Sequence, residues 1–494
     1  MLRSVAFVLF LLASAVASAQ VRNPTHQDIL TMFARNYVPG RSAQLFVVAR
    51  QGEVVTRDEP TAMYMHGSPW PYDTNIPIFF AGPQVNPGVH SLPARQQDVA
   101  ATLAAALGVS MPSTATGRVL PVLRANAPRP RAIFLLVLDG MRMDYFTRHA
   151  SHMPTLSALR KRSAWFTNAR VDYLPTATGA GHASISTGSE PRFHGITGNN
   201  LYDRVKRARY ETLTGFHPRD LLALTLSDVW QVSTGGQAIV IAQGSSAHAA
   251  VSLAGHGACQ LGGTKVFMAG YDQTKGVWRS NDECYTLAPP VATLDVKSIF
   301  PPDGTWMGHK VDTPLEIRYS GVFPRFETEA FVRAVESQPI GADNITDLLL
   351  LNFKGADYVG HKHGPDSKEM PVALAEMDTQ LARIFAAIEA KVGNDYLIAV
   401  TADHGMPPDP PPGRERRFSP SVLALVNNAL DPERKAVAVY YEPENSQMFV
   451  DPDRLAELKL TVDDVAAFLR KQPFVYAAFT EDQVRRASAA LPRN

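Results

Sequence analysis

Three largely apolar, β-rich runs punctuate the chain, and each ends in the same way. Ala132–Leu138 leads into Asp139-Gly140, Asp347–Phe353 into Gly355-Ala356-Asp357-Tyr358-Val359-Gly360-His361, and Tyr396–Thr401 into Asp403-His404-Gly405. Runs of this length fit strands covered on both faces, as in a parallel sheet between helices, and ligands of such sheets gather at the carboxyl ends of the strands. One Asp after a strand is usually a turn residue. Three acids and two histidines in repeated placement point instead to metal ligands. From Val372 to Val392 the period becomes helical, with Leu374, Met377, Leu381, Ile384, Phe385 and Ile388 on one face, which reads as a core face.

Elsewhere the pattern changes character. Between Leu201 and Ile345 the strong strand signals lapse, and Gly235-Gly236, Gly262-Gly263 and Pro301-Pro302-Asp303-Gly304 mark turns. Residues 201–345 are therefore expected to form an inserted cap near the catalytic edge that shapes substrate access. Residues 1–19 carry Arg3, an apolar core from Val5 to Val16, and Ala17-Ser18-Ala19, the signature of a cleaved signal peptide. A retained anchor is the alternative, but the run is shorter than the ~20 residues a spanning helix needs, and no later stretch is long enough. An exported protein, periplasmic or secreted, is expected.

Composition narrows the classes further. A chain of 494 residues with 45% apolar content can bury one enlarged α/β domain. Lys and Arg total 48 against 47 Asp and Glu, so no nucleic-acid or anionic-membrane surface is implied. Export opens a disulfide to the only two cysteines, Cys259 and Cys284, with two buried free thiols as the alternative.

Candidate chemistry centres on Pro175-Thr176-Ala177-Thr178-Gly179-Ala180-Gly181-His182, inside the run from Val171 to Asn199. Proline and small residues break the chain before a helix predicted at 181–187, which puts Thr178 where unpaired backbone N–H groups can hold a phosphoryl group. An isolated threonine there is more often only an N-cap. Taken with Thr187-Gly188, Pro191, His194-Gly195-Ile196 and Gly198-Asn199, however, the segment resembles the nucleophile region of the alkaline phosphatase superfamily, in its nucleotide pyrophosphatase/phosphodiesterase and PafA-like branch. Asp139, the Asp357-x-x-x-His361 pair and Thr401-Ala402-Asp403-His404-Gly405 resemble that branch's ligands for two zinc ions. The resemblance implies an alkaline phosphatase-like α/β fold with a central, mostly parallel sheet flanked by helices. It makes Thr178 the nucleophile and Asn199 the amide that contacts a phosphoryl oxygen.

The order of the motifs departs from the family. Met65 to Gly82, with His66, resembles the family's carboxy-terminal segment, Gln97 to Val109 its final helix, and Thr116 to Leu120 its closing turn. No histidine follows His404. The chain therefore reads as a circular permutant in which residues 20–126 stand for the family's C-terminal part, packed in one domain with a catalytic core of 127–200 and 346–494. The new join would be the exposed, Pro- and Arg-rich stretch 124–131. By resemblance Asp357, His361 and His66 hold one zinc, and Asp139, Asp403 and His404 the other. Two such ions about 4 Å apart clamp an in-line displacement at phosphorus.

A further departure concerns specificity. Relatives that prefer monoesters carry a Lys-x-Arg pair where Ser246 and His248 align here. Losing two cationic donors, each worth roughly 1.5–3 kcal/mol, costs a dianionic monoester more than a diester. A phosphodiesterase or nucleotide pyrophosphatase acting on a small phosphate ester is the leading expectation and an alkaline phosphomonoesterase the second. From another class comes a non-catalytic, zinc-stabilised binding protein, against which the presence of both Thr178 and Asn199 argues.

Overall fold

The computed structural model describes residues 22–262 and 265–492. The expected signal peptide lies outside the described residues, and no helix among those described is long and apolar enough to cross a membrane. The three apolar runs are neighbouring parallel strands, in the order Asp347–Phe353, Ala132–Leu138, Tyr396–Thr401. All but a few of their side chains are fully buried, as strands covered on both faces require. They form the middle of a nine-stranded mixed sheet. On one side Val240–Gly244 and Val266–Asp272 continue it in parallel, and Val277–Arg279 closes that edge antiparallel. On the other, Ile78–Ala81 runs antiparallel between Tyr396–Thr401 and Ala164–Arg170, and Gly88–Arg95 completes the order.

Helices cover both faces. Glu369–Val392 buries the predicted stripe of Leu374, Met377, Leu381, Ile384, Phe385 and Ile388, and starts three residues before the predicted boundary. The result is an α/β fold with a large mixed sheet between helices.

One expectation fails in part. Residues 201–345, where strong strand signals lapse, are expected to form an inserted cap, yet three strands of the central sheet come from them. The missing signal has a packing cause. Val240-Ile-Ala-Gln-Gly244 has only three apolar residues and ends in a glycine because the alanine-rich helix Ala247–Ala254 lies directly on it: a Cβ on Gly244 would sit 2.6 Å from the Ala250 backbone nitrogen. The remainder of this stretch forms the helices Leu226–Ser233, Ala247–Ala254 and Pro324–Ser337 together with loops and short hairpins, some of which line the cleft at the catalytic edge. Within it Cys259 and Cys284 are joined as a disulfide.

The two ends of the described chain share a second structure. Leu45–Ala49 lies between Gln447–Val450 and Val475–Thr480 in a four-stranded antiparallel sheet. Ile29, Phe33, Phe46 and Trp70 bury against Ala477, Phe479 and Val484, and the His26 ring stacks on Tyr476 with centroids 4.4 Å apart. Residues 22–126 thus divide between both sheets.

Candidate active site

Thr178 opens the helix Thr178–Thr187, three residues earlier than the sequence predicts, with the extended Ala177 as its N-cap. The whole helix is buried, and the glycines explain why it tolerates such close neighbours. A Cβ on Gly181 would lie 2.6 Å from that of Asp403, and Gly140, at φ +66°, would place one 2.8 Å from the Asp357 Cα. Both glycines let the nucleophile helix and the strand ends approach within van der Waals contact.

Around Thr178 the fold collects every ligand expected from the sequence. His66 Nε2 is 3.7 Å and His361 Nε2 3.3 Å from Asp357 Oδ1, while His404 Nε2 is 3.6 Å from Asp139 Oδ1 and 3.3 Å from Asp403 Oδ2. The rings of His66 and His404 stack at 3.5 Å. Ligand atoms of His66, Asp357 and His404, and likewise of Asp139, Asp403 and His404, fall within 4.8 Å of one another.

The tautomers are fixed from behind. His66 donates Nδ1–H to the Thr176 carbonyl at 2.7 Å, His361 to Tyr64 at 2.6 Å and His404 to Gly405 at 2.8 Å. A carbonyl only accepts, so each Nε2 carries the lone pair that faces the site. Burial, reinforced by neighbouring histidines, holds the His66 pKa well below its ordinary value, and burial lowers that of His404. Both rings are neutral and able to ligate.

The carboxylates show the complementary deficit. Asp139 Oδ1, Asp357 Oδ1 and Asp403 Oδ2 are buried with no hydrogen-bond donor. Burial and the adjacent Asp139 push the Asp403 carboxyl far above the usual range. Buried carboxylate oxygens without donors, facing imidazole lone pairs, make candidate positions for metal ions.

Sequence reasoning missed Lys354. Its ammonium lies 2.8 Å from Asp139 Oδ2, 2.9 Å from Asp357 Oδ2 and 3.2 Å from Thr178 Oγ1. Burial opposes its charge, but the two carboxylates overcome that and hold its pKa well above the lysine value. A lone lysine three residues before Asp357 reads as a solvated charge, and only the fold shows it fully enclosed. Asn352, also missed, donates to Asp139 Oδ2 at 2.8 Å and to His182 Nε2 at 3.0 Å, fixing that carboxylate's orientation.

The expected substrate contacts are placed differently. Asn199 Oδ1 accepts from the Gly179 N–H at 2.7 Å, which brings its amide to the nucleophile, but its Nδ2 donates to the buried Glu444. Burial lifts the Glu444 pKa to about 7 against the pull of Arg57, whose guanidinium bonds it and Glu442 at 3.0 Å. Ser246 accepts from the Ala249 N–H as an N-cap, and His248 Nε2 donates to the Asn199 carbonyl at 3.1 Å. Both side chains line the cleft beside Thr178, already engaged in local contacts. The cleft encloses about 520 Å³, and its outer wall includes Arg209, Phe216, Tyr271 and Arg318 from the 201–345 stretch.

A mixed sheet with histidines and aspartates gathered at its carboxyl edge around a helix-borne threonine defines a metal-type ester hydrolase site. The model of the type I phosphodiesterase / nucleotide pyrophosphatase family matches residues 133–477, and the chain belongs to that family. It is thereby a phosphoric ester hydrolase of the alkaline phosphatase superfamily, in the PafA-like branch. Alkaline phosphatase PafA of Elizabethkingia meningoseptica is 27% identical over 438 residues, covering 75% of this chain and 79% of that protein. Alkaline phosphatase PhoV of Synechococcus elongatus is 26% identical, over 67% and 70%. The crystal structure of wild-type PafA matches with a TM-score of 0.58 at 24% identity, covering 74% of this chain and 81% of that one, a likeness of fold.

Proposed function

We propose that the protein is an exported, zinc-dependent phosphodiesterase or nucleotide pyrophosphatase that works through a phosphothreonine on Thr178. One observation carries the reading: three imidazole lone pairs and three carboxylates, each with a buried oxygen that lacks a hydrogen-bond donor, surround a single buried hydroxyl. Asp357, His361 and His66 are assigned to one zinc, and Asp139, Asp403 and His404 to the other. Bound zinc would supply the positive charge that acidifies the Thr178 hydroxyl and the departing oxygen, and would relieve Lys354 of neutralising Asp139 and Asp357.

Thr178 Oγ1 lies 3.4 Å from His404 Nε2 and receives a hydrogen bond from Lys354; with the His404 lone pair committed to zinc, the hydroxyl proton passes to water. The Thr178 oxygen attacks phosphorus as the ester oxygen leaves; water then cleaves the Oγ1–phosphorus bond and restores the threonine. Asn199, braced by Gly179 and Glu444, contacts a nonbridging oxygen, and the positive end of the Thr178–Thr187 helix favours the same charge.

Diester preference rests on the absence of cations at Ser246 and His248. A monoesterase reading has Lys354 in its favour, because an ammonium beside the nucleophile meets an extra charged oxygen from another direction. Rates on an aryl phosphodiester and the matching monoester, measured on zinc-loaded enzyme, decide between them.

Residues 22–126 are proposed to be the family's C-terminal part, moved to the front of the chain. In support, the family match starts only at residue 133, Ile78–Ala81 joins the central sheet, and His66 reaches Asp357.

A further inference from the structure

The helix Gly355–His363 carries Asp357 and His361 toward the active site, but it ends in a histidine that faces elsewhere. Residues two apart on a helix point about 200° apart, so His363 cannot share the direction of His361. It meets instead His309, from the short hairpin of Thr305–Trp306 and His309–Lys310, and Glu369, the first residue of the long helix Glu369–Val392. The rings of His309 and His363 have centroids 4.4 Å apart, and His309 Nε2 lies 2.9 Å from Glu369 Oε1. Trp306 closes the group with its ring 6.0 Å from that of His363. None of these residues has a role in the ester chemistry.

We propose that His309, His363 and Glu369 form a third zinc site, separate from the catalytic pair, which clips the hairpin to the two helices. Ligand atoms of all three residues lie within 4.8 Å of one another. The second observation is an imbalance in the same place. His363 Nε2 is buried without a hydrogen-bond partner, although two polar groups stand beside it. An orphaned buried nitrogen costs about 1–3 kcal/mol, and a cation shared with His309 and Glu369 removes that cost. Two imidazoles and one carboxylate suit Zn²⁺ and do not suit Mg²⁺ or Ca²⁺, which demand oxygen ligands. Glu369 is almost fully buried, whereas the His309 side chain is 36% exposed, so an ion can enter from the hairpin side and keep an open position for water.

The two helices already pack on each other, but among the described residues a single side-chain hydrogen bond, His309 to Glu369, ties the hairpin to the long helix. Zinc bound there stabilises the end of the helix that presents Asp357 and His361, without touching substrate. That predicts an effect on metal content and heat resistance first, and on turnover only through them.

The test is equilibrium dialysis of the full-length mature protein against buffered zinc, followed by elemental analysis, for wild type, His309→Ala, His309→Gln, Glu369→Gln and Asp403→Asn. Each change at the third site is expected to lower zinc by one per chain. Asp403→Asn should lower the count independently, so failure of the catalytic assignment leaves the difference between wild type and His309→Ala intact. Added zinc should raise the melting temperature of an Asp403→Asn protein further than that of an Asp403→Asn/His309→Ala protein, in which only the Asp357, His361 and His66 site remains to respond. His309→Gln can keep the bond to Glu369 but supplies no imidazole. If it restores zinc content and melting behaviour to wild type, the contact is an ordinary hydrogen bond and the proposal falls. Equal zinc content in wild type and all three clip variants overturns it as well.

Discussion

The two sides of the central sheet contribute to the active site in unequal ways. The parallel side delivers Asp139, Asp403 and His404 immediately after strand ends and Asp357 with His361 on the helix that follows its strand, so strand register sets most of the geometry. On the antiparallel side His66 arrives on a loop, held by Thr176 and by Ser68, whose N–H and hydroxyl both donate to Asp73 Oδ2. Ligands set by strand register need little support from elsewhere. A ligand set by a loop needs its surroundings buried and bonded, and burial accordingly lifts the Asp73 pKa to about 7. The parallel side is thus expected to be indispensable for bond breaking, and the antiparallel side for completing the metal site.

Thr178→Ala gives the sharpest break. Turnover should fall more than about 10³-fold with zinc content near normal, because the hydroxyl is attacked through and is not an obligatory ligand. Thr176→Ala should be far milder, since its hydroxyl only accepts from the Gly67 N–H and donates to the Ser68 carbonyl. The reverse ranking would move the nucleophile. Next in size, His66→Ala should release one zinc per chain and cost at least about 10² in rate. Retention of full zinc by that variant would reduce residues 22–126 to scaffolding.

A smaller effect separates substrates. Lys354→Met should slow an aryl monoester more than the matching diester, by roughly tenfold for one lost charge-assisted bond. Ser246→Lys with His248→Arg should shift the ratio toward monoesters. Equal losses on both esters would leave Lys354 no part in selectivity.

The nucleophile segment also meets the N-terminal quarter, where Arg41 donates to the Gly195 carbonyl at 2.6 Å. Beside it the buried His194 is neutral, with Nδ1 accepting from the Ile196 N–H and Nε2–H donating to Ser184 Oγ at 2.9 Å. Burial pushes its pKa down to about 3 from 6.5. A depressed histidine contributes stability that is present above the unfolded value and lost as pH falls from 6.5 toward 3, by at most about 1.4 kcal/mol per pH unit. In urea unfolding, the advantage of wild type over His194→Gln should shrink across that window. A constant difference would show that the ring is free to protonate in the folded protein.

Least change of all is expected from a rearranged chain that begins near Arg131 and joins the C-terminal helix to Asn23 through a short flexible linker. It should fold and retain activity within a few-fold, as chains cut in exposed stretches commonly do. Failure to fold would tell against the permutation.

Sequence reading was strongest where one residue type repeats in one structural setting. Asp139, Asp357 and Asp403 were legible because each ends a buried run, and His66 because a family motif surrounded it. Val240–Gly244 was not, since its apolar run stops after Ala242, at Gln243 and at a glycine that the alanine-rich helix beside it requires. Lys354 was hidden by chemistry as well as fold. Nothing in its neighbours shows that two carboxylates from different strands will enclose it. Arg57, Glu442 and Glu444 depend on contacts across almost 400 positions, which no local pattern carries. The start of the active-site helix was misplaced because glycine and alanine after Ala177 leave its first turn without periodicity.

The strand Leu45–Ala49 has one more consequence. It is an inner strand whose two partners, Gln447–Val450 and Val475–Thr480, are made some 400 residues later. During synthesis it therefore waits with both edges open until those two later segments have been made. Pairings across such separations form slowly, and open edges invite association with other chains. Assembly of the second sheet is thereby delayed, because it cannot lock until Val475–Thr480 has been delivered.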